Sequence, residues 1–275
     1  MSRVSSLVFG TVVVGIVASV AGCQVEASIK TKTRFTETNV VKEDAADWDG
    51  EPIEVDIAGV GISINGGVTV TADPNATKVR ATARMLAMAF SEEKANADLS
   101  IAEAKNTFTI SNSGGTISVV CKHGGSHGSS NGGESGCELV EVVVPTGALG
   151  GKALNLNKVL SGNGTLTLQL SAANLTNLGT NSNGGLTNAD LPAVQGATYS
   201  LVSEKADDIA VKLPADFSAD EIILQADADK IELGPFTDIK NGAGAGGRGT
   251  AGQGLALLKI TSKEFAGSTG AITLR

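Results

Sequence analysis

Two cysteines and both histidines of the chain lie close together, at Cys121, His123, His127 and Cys137. Most of the residues between the cysteines are Gly, Ser or Asn. In an exported protein such a pair usually forms a disulfide, which here would close a loop of about 17 residues and stabilise the fold by roughly 3 kcal/mol. The same four side chains suit zinc or cuprous copper, since thiolates and imidazoles are ligands of both. The spacing from Cys121 to His123 matches no common structural zinc pattern, so we predict the disulfide and keep the metal site as the alternative.

Neighbouring carboxylates offer a second kind of chemistry. Asp207 lies beside Asp208, and Asp227 lies two positions before Asp229. Glycoside cleavage needs two carboxyl groups that flank the scissile bond. Adjacent residues on a strand point to opposite faces, however, and sugar-stacking rings are few, since Trp48 is the only tryptophan. A carbohydrate-active enzyme is therefore the alternative interpretation, and we assign no catalytic residue and no cofactor.

The third cysteine, Cys23, ends the run Val20-Ala21-Gly22-Cys23. It follows Arg3 and an apolar stretch that is short for a helix spanning about 30 Å of hydrocarbon, so the segment is typical of a cleaved signal peptide. The run resembles the bacterial lipobox, in which the cysteine is acylated and becomes the mature N-terminus. That resemblance implies a signal peptide at 1–22 and fatty acyl chains, palmitate among them, on Cys23.

Lipid on Cys23 would hold the protein on a membrane, because each buried methylene contributes about 0.8 kcal/mol. Gln24 rather than Asp follows the cysteine. Among bacterial lipoproteins that residue implies sorting to the outer membrane. We therefore predict a lipid-anchored protein of the bacterial cell envelope, located at the outer membrane.

The charge balance argues against nucleic acid as a partner. Without Arg3 the mature chain has 20 Lys plus Arg against 29 Asp plus Glu, and its cations are spread singly. A phosphate-binding surface needs clustered cations. Aromatic residues make up only 3% of the chain and there are 35 glycines, so we expect a core of Val, Ile, Leu and Ala with frequent turns.

Short runs that alternate aliphatic and polar residues continue from residue 51 to the end, and this period of two is typical of half-buried strands. The clearest is 165–170, where three leucines alternate with Thr, Thr and Gln. Further strands are predicted around 55–57 and 68–70 and at 78–84, 99–104, 108–110, 116–120, 139–144, 154–160, 199–202, 209–213, 221–226, 231–233, 256–261 and 271–274. One short helix is predicted at 91–97, with Ser91 as its cap. Residues 23–50 are predicted to be a lipidated tether with one early strand at 29–35.

Strands at roughly 8 to 14 residue spacing leave little room for crossover helices, so the predicted fold class is all-β. Small polar corners recur, such as 161–164 and 181–185, and they favour a β-solenoid of short strands. No strict repeat length is visible, so a β-sandwich remains the alternative.

Three segments, 57–64, 208–214 and 267–274, resemble the bacterial putative-adhesin family of β-strand repeats, also called toastrack. The resemblance covers 51–275 and implies a non-catalytic β-solenoid of the cell envelope. It carries no catalytic residue that could be transferred to this chain. We therefore predict a structural, adhesive or envelope-sensing role, with a surface polysaccharide or an envelope protein as partner.

Overall fold

The computed structural model describes residues 36–57, 67–89, 91–104, 108–121, 134–147, 151–236 and 254–275. The predicted signal peptide, Cys23, His123 and His127 lie outside these ranges, as does the predicted early strand. The described helices are Glu92–Ala104 (α1) and a single 3-10 turn, Ala228–Lys230. The strands are Thr36–Asp47 (β1), Ile53–Ile57 (β2), Gly67–Asp73 (β3), Lys78–Ala89 (β4), Phe108–Ser113 (β5), Thr116–Cys121 (β6), Glu134–Pro145 (β7), Leu154–Ser161 (β8), Leu166–Gln169 (β9), Leu175–Ser182 (β10), Thr187–Asp190 (β11), Thr198–Ser203 (β12), Ile209–Lys212 (β13), Ala219–Gln225 (β14), Ile231–Glu232 (β15), Leu255–Ser262 (β16) and Ile272–Leu274 (β17).

The strands form two sheets, and from β6 onward the chain alternates between them. Sheet A has the order β1-β4-β7-β3-β9-β11-β13-β17-β15, and sheet B has the order β14-β16-β12-β10-β8-β2-β6-β5. Each coil contributes one strand to sheet B and the next to sheet A, and neighbouring coils pair in parallel through most of both sheets. We call the turns from sheet B to sheet A the first corners and the turns back the second corners. This arrangement is a two-sheet β-solenoid, which confirms the predicted all-β class.

The central coils have a nearly constant length. Leu154 pairs with Leu175, and Leu178 pairs with Tyr199, each 21 positions further along the chain. Thr187 pairs with Ile209, which is 22 positions away. The longer connections towards both ends break this spacing, and for that reason the repeat is hidden in the sequence.

The core lies between the two sheets and is built from alternate residues. In β9 and the following corner, Leu166, Leu168 and Leu170 are buried while Gln169 is exposed, as the sequence pattern predicted. Buried Tyr199 donates a hydrogen bond from its hydroxyl to the carbonyl oxygen of Leu175, 3.0 Å away. Burial raises the pKa of this phenol well above its usual range, so the hydroxyl keeps its proton and remains a donor.

The chain reaches each end of the solenoid by an indirect route. After β2 and β3 it forms β4, α1 and β5 at the edge, and only then inserts β6 and β7 between that edge and β2–β3. The other end is built in the same way, because β14 and β15 form the edge and β16 and β17 fill the gap behind them. Phe217 and Phe236 pack edge to face near this second end, with ring centroids 5.6 Å apart.

The first end is closed by elements that the sequence did not predict. Residues 36–47, which were predicted to belong to the tether, form β1 and pair with β4 along its whole length. Asp44 accepts a hydrogen bond on Oδ2 from the backbone N–H of Ile110 in β5, 2.9 Å away, so β1 also bridges to sheet B. The tether prediction for 23–50 is therefore wrong for the described residues from 36 to 47.

The helix is longer than predicted. Ser91 caps it as expected, since its Oγ accepts from the N–H of Lys94 at 3.3 Å, but α1 continues to Ala104. The predicted strand at 99–104 is therefore wrong. Ala95 and Leu99 are four positions apart and both buried, so they form a helical stripe whose burial extends the helix.

Besides β1, two strands were missed, β10 and β11. Their sequences contain Gly179, Asn181, Asn188 and Asp190, which are poor strand formers in isolation. Both strands are flanked by parallel neighbours on each side, so backbone pairing overrides the local preference.

Replacing Thr187 with valine should stabilise the protein. Thr187 is 1% exposed, and its Oγ1 has no hydrogen-bond partner among the described residues. Its register neighbours, Leu166 and Ile209, are apolar. A buried hydroxyl without a partner costs about 1 to 3 kcal/mol and valine has the same shape, so we expect a gain of about 1 kcal/mol or more in urea unfolding.

The matched control is Ser182→Ala. The Ser182 hydroxyl is also buried but donates to the carbonyl oxygen of Gly185 at 3.1 Å, so its removal should lower stability. A loss of stability in Thr187→Val would contradict the prediction, because it would mean that the Thr187 hydroxyl has a partner in solution.

Candidate binding surface

The outward side of sheet A carries a row of residues, one from each strand, that are polar in every strand except β13. In register order, this sheet A row consists of Glu43, Thr82, Glu141, Thr69, Thr167, Asn188, Ala210, Thr273 and Glu232. Carboxylates lie towards the two ends of the row, and its centre from Thr69 to Thr273 is uncharged. The row exists because each strand turns its aliphatic residues to the core and its polar residues outward.

A second row runs beside it, two residues further along the strands. It includes Thr71, Gln169, Asp190 and Lys212 in register order. Thr71 donates a hydrogen bond from Oγ1 to Oε1 of Gln169 at 3.3 Å. Lys212 forms an ion pair with Asp190 at 2.9 Å. The charges of Asp190 and Lys212 are therefore paired across neighbouring coils.

A shallow groove of about 490 Å³ follows these two rows over β3, β9, β11 and β13. It is lined by Thr71, Ala72, Thr167, Leu168, Gln169, Ser171, Ala172, Asn188, Ala189, Asp190, Ala210, Lys212 and Arg275. Its hydroxyl and amide groups recur at the strand spacing of about 4.8 Å and can both donate and accept hydrogen bonds. Asp190 is the only carboxylate side chain among these described lining residues, so they do not supply the two side-chain carboxyl groups that glycoside cleavage requires.

The carboxylates that the sequence singled out, Asp207, Asp208, Asp227 and Asp229, lie elsewhere, at the first corners, where Asp208 and Asp227 join one coil to the next. Asp208 accepts from the backbone N–H of Ala271 at 2.7 Å. Asp227 accepts from the N–H of Thr269 at 3.1 Å, and this hydrogen bond is the main reason why the pKa of Asp227 lies below its ordinary value. Asp207 accepts from the hydroxyl of Ser203 at 3.3 Å. These contacts give the aspartates a structural role.

The outward side of sheet B and the first corners beside it carry ion pairs as well. Lys158 pairs with Asp56 at 2.8 Å, and Lys263 pairs with Glu204 at 2.7 Å. The hydrogen bond from Lys263 lowers the pKa of the Glu204 carboxyl, and the contact with Asn181 adds to this effect. Sheet B also has an uncharged outward row, which consists in register order of Gln225, Thr261, Val202, Asn181 and Leu160.

Cys121 and Cys137 meet at a first corner. Their Cα atoms are 6.2 Å apart and their sulfur atoms lie within bonding distance, so the pair is at disulfide distance. Both residues are fully buried. In the later coils the last residue of the sheet B strand is a buried serine, and Ser161, Ser182, Ser203 and Ser262 lie side by side in register. The disulfide stays a prediction, as does the metal alternative, because His123 and His127 lie outside the described residues.

One solved structure is similar in fold to this chain. No family model matches the chain, and no curated protein matches it. The solved structure is a putative cell adhesion protein from Clostridium sporogenes, which is 11% identical and aligns over 86% of this chain and 99% of that chain with a TM-score of 0.51. The two proteins share a fold. This likeness concerns the β-rich architecture alone.

The described residues also bear on membrane attachment. Within them, neither helix combines the length and the apolar character needed to cross a bilayer. The predicted lipid at Cys23 would provide attachment without such a helix.

The sequence did not single out the sheet A row. Its residues are common polar types spread over much of the chain, and only the register between coils brings them together. The signal that could have found them is the polar half of each alternating run, such as Thr165, Thr167 and Gln169 opposite the leucines.

Proposed function

We propose that this protein is a lipid-anchored module of the bacterial cell envelope with a non-catalytic, adhesive role. In this proposal acylated Cys23 holds the chain on the outer membrane. The rigid solenoid presents the sheet A face, defined by the sheet A row and the groove beside it, to a surface polysaccharide.

The observation that carries the proposal is the uncharged polar centre of the sheet A row. Threonine and asparagine side chains at regular spacing can form many weak hydrogen bonds with an extended chain of hydroxyl groups, without the cost of removing water from buried charges. Such contacts individually contribute little, so affinity depends on the number of coils engaged. A solenoid provides this repetition because each coil adds the same kind of contact.

The adhesive role has further support from the fold. The solved structure with the same architecture is named as a putative cell adhesion protein. The alternative of a carbohydrate-active enzyme loses support because Asp208 and Asp227, one from each candidate acid and base pair, form hydrogen bonds with a neighbouring corner.

The test uses the full-length chain expressed in a bacterial host. Cells that carry the protein should adhere to surfaces coated with neutral polysaccharides, and the purified chain should bind the same polymers without releasing new reducing ends. Asn188→Arg places a bulky cation in the centre of the sheet A row and should reduce polymer binding at least tenfold. Ser200→Arg is the matched control on the outward side of sheet B and should bind like the unmodified protein.

A second variant tests the anchor separately. Cys23→Ala should move the chain out of the membrane fraction and abolish adhesion of the cells, while the purified variant still binds polymer. Release of reducing ends would overturn the non-catalytic role. Equal polymer binding by Asn188→Arg and the unmodified protein would overturn the assignment to the sheet A face.

A further inference from the structure

The only tryptophan of the chain lies beside a cavity in the folded body. The Trp48 cavity has a volume of about 180 Å³ and lies where the second corners after β1 and β7 meet the turn between β3 and β4. It is lined by Trp48, Ala76, Thr77, Pro145, Thr146, Gly147 and Lys152. The cavity is distinct from the groove on the sheet A face, because the two share no lining residue.

The indole ring is held in place. Its Nε1–H donates to the carbonyl oxygen of Glu51 at 2.8 Å, and the half-buried ring packs against the hydrophobic core. Trp48 directly follows β1, which is paired with β4 over all of its residues. A ring fixed in this way loses little conformational entropy when a ligand stacks on it.

Gly147 and Lys152 form another part of the cavity wall. Gly147 has a φ of +77°, and a Cβ atom at this position would overlap the backbone carbonyl of Lys152. The backbone of Lys152 therefore lies close to Gly147, two residues after the end of β7. The Lys152 amine forms an ion pair with Asp49, next to Trp48 in the sequence.

The chemistry of the lining restricts the ligand. Ala76, Pro145 and the indole ring form apolar surface, whereas Thr77 and Lys152 provide hydrogen-bonding groups. Such a mixture suits a small molecule with one apolar face and a polar rim. A pyranose ring has this character, because its C–H bonds can stack on the electron-rich face of an indole while its hydroxyl groups point sideways.

The local charge favours a neutral sugar. Asp49 balances Lys152, and Glu51 adds a negative charge beside them through its contact with the N–H of Asp49 at 2.6 Å. A uronic acid would place another carboxylate in this acidic neighbourhood. We propose that the Trp48 cavity binds one neutral pyranose unit of the polysaccharide, a refinement that rests on the proposed adhesive function.

Because Trp48 is the only tryptophan, its fluorescence reports on this cavity alone. We would titrate the purified full-length chain with tetramers of glucose, galactose, mannose and galacturonate. At least one neutral tetramer should give a saturable change in tryptophan fluorescence, and galacturonate should bind at least tenfold more weakly. Thr77→Val should weaken the neutral sugar at least fivefold, whereas the control Thr198→Val, on the outward side of sheet B, should leave binding unchanged.

Trp48→Phe keeps an aromatic ring for packing but lacks the indole, and calorimetry should show about tenfold weaker binding of the neutral tetramer. If no neutral tetramer changes the fluorescence while Asn188→Arg still abolishes polymer binding, the inference fails and the proposed function stands. If the unmodified chain binds no polysaccharide at all, both fail. Binding of galacturonate as tight as that of the neutral sugars would overturn the choice of a neutral ligand.

Discussion

Gly270→Ala should lower the free energy of unfolding by about 3 kcal/mol, at the upper end of the usual cost of overpacking. Gly270 is buried at the first corner between β16 and β17. A Cβ atom there would overlap the backbone carbonyl of Asp207 and lie 2.5 Å from the carbonyl oxygen of Ala206. Both belong to the stacked corner of the neighbouring coil, so no side chain can move aside to make room.

The corner at Gly270 is also fixed by polar contacts, which prevent the backbone from shifting. The N–H of Gly270 donates to Oγ of Ser262 at 2.8 Å, and the same hydroxyl donates to the carbonyl oxygen of Asp207 at 3.2 Å. The added methyl group must therefore separate the two coils or break these hydrogen bonds. Urea unfolding followed by circular dichroism measures the loss as a lower midpoint.

Gly267→Ala is the matched control in the same connection. Gly267 has a φ of +87° but has open space around its Cβ position. Its replacement should cost only the strain of a left-handed alanine, about 1 kcal/mol. Equal losses in the two variants would contradict the argument, because they would show that coil stacking at Gly270 is loose enough to accept a methyl group.

Removal of the predicted disulfide should cost a similar amount. Under the chain-entropy model a bond between Cys121 and Cys137, closing a loop of about 17 residues, stabilises the protein by roughly 3 kcal/mol. Cys121→Ala, Cys137→Ala and the double variant should therefore lose nearly the same stability, because the first substitution already removes the bond. A reductant should lower the urea midpoint of the unmodified protein and leave that of the double variant unchanged.

The thiol measurement must be made on unfolded protein. Cys121 and Cys137 are both fully buried, so a thiol reagent would fail to label them in the native state whether or not they are bonded. Two thiols labelled in denaturant without reductant would contradict the disulfide. The metal alternative with His123 and His127 would then be favoured, and zinc retained through purification would support it.

Strands could be predicted from the sequence wherever one face of the strand is buried and the other face is exposed. In β9 the leucines face the core and the threonines face outward, so the period of two was visible in the sequence. The strand predicted at 99–104 was wrong, because these residues belong to α1. Ala95 and Leu99, four positions apart, are both buried on one side of that helix. The strand prediction failed again at β10 and β11, whose glycine and asparagine residues adopt strands because the neighbouring coils pair with them on both sides.

The candidate surfaces depended even more on tertiary structure. Thr69, Thr167 and Asn188 are ordinary polar residues until parallel register places them side by side. Trp48 was predicted to lie near a tether, and the pairing of β1 with β4 instead places it against the core beside a cavity.

The sequence alone determined the all-β class, because alternating burial is a local property that each short run of residues encodes. It also predicted the pairing partner of Cys121, because only one other cysteine follows Cys23. Only the tertiary structure decided the order of the coils, including the late insertion of β6–β7 and β16–β17. The reason is physical: the same aliphatic faces could stack in many orders, and the native order follows from the combined fit of all corners and end elements rather than from any single segment.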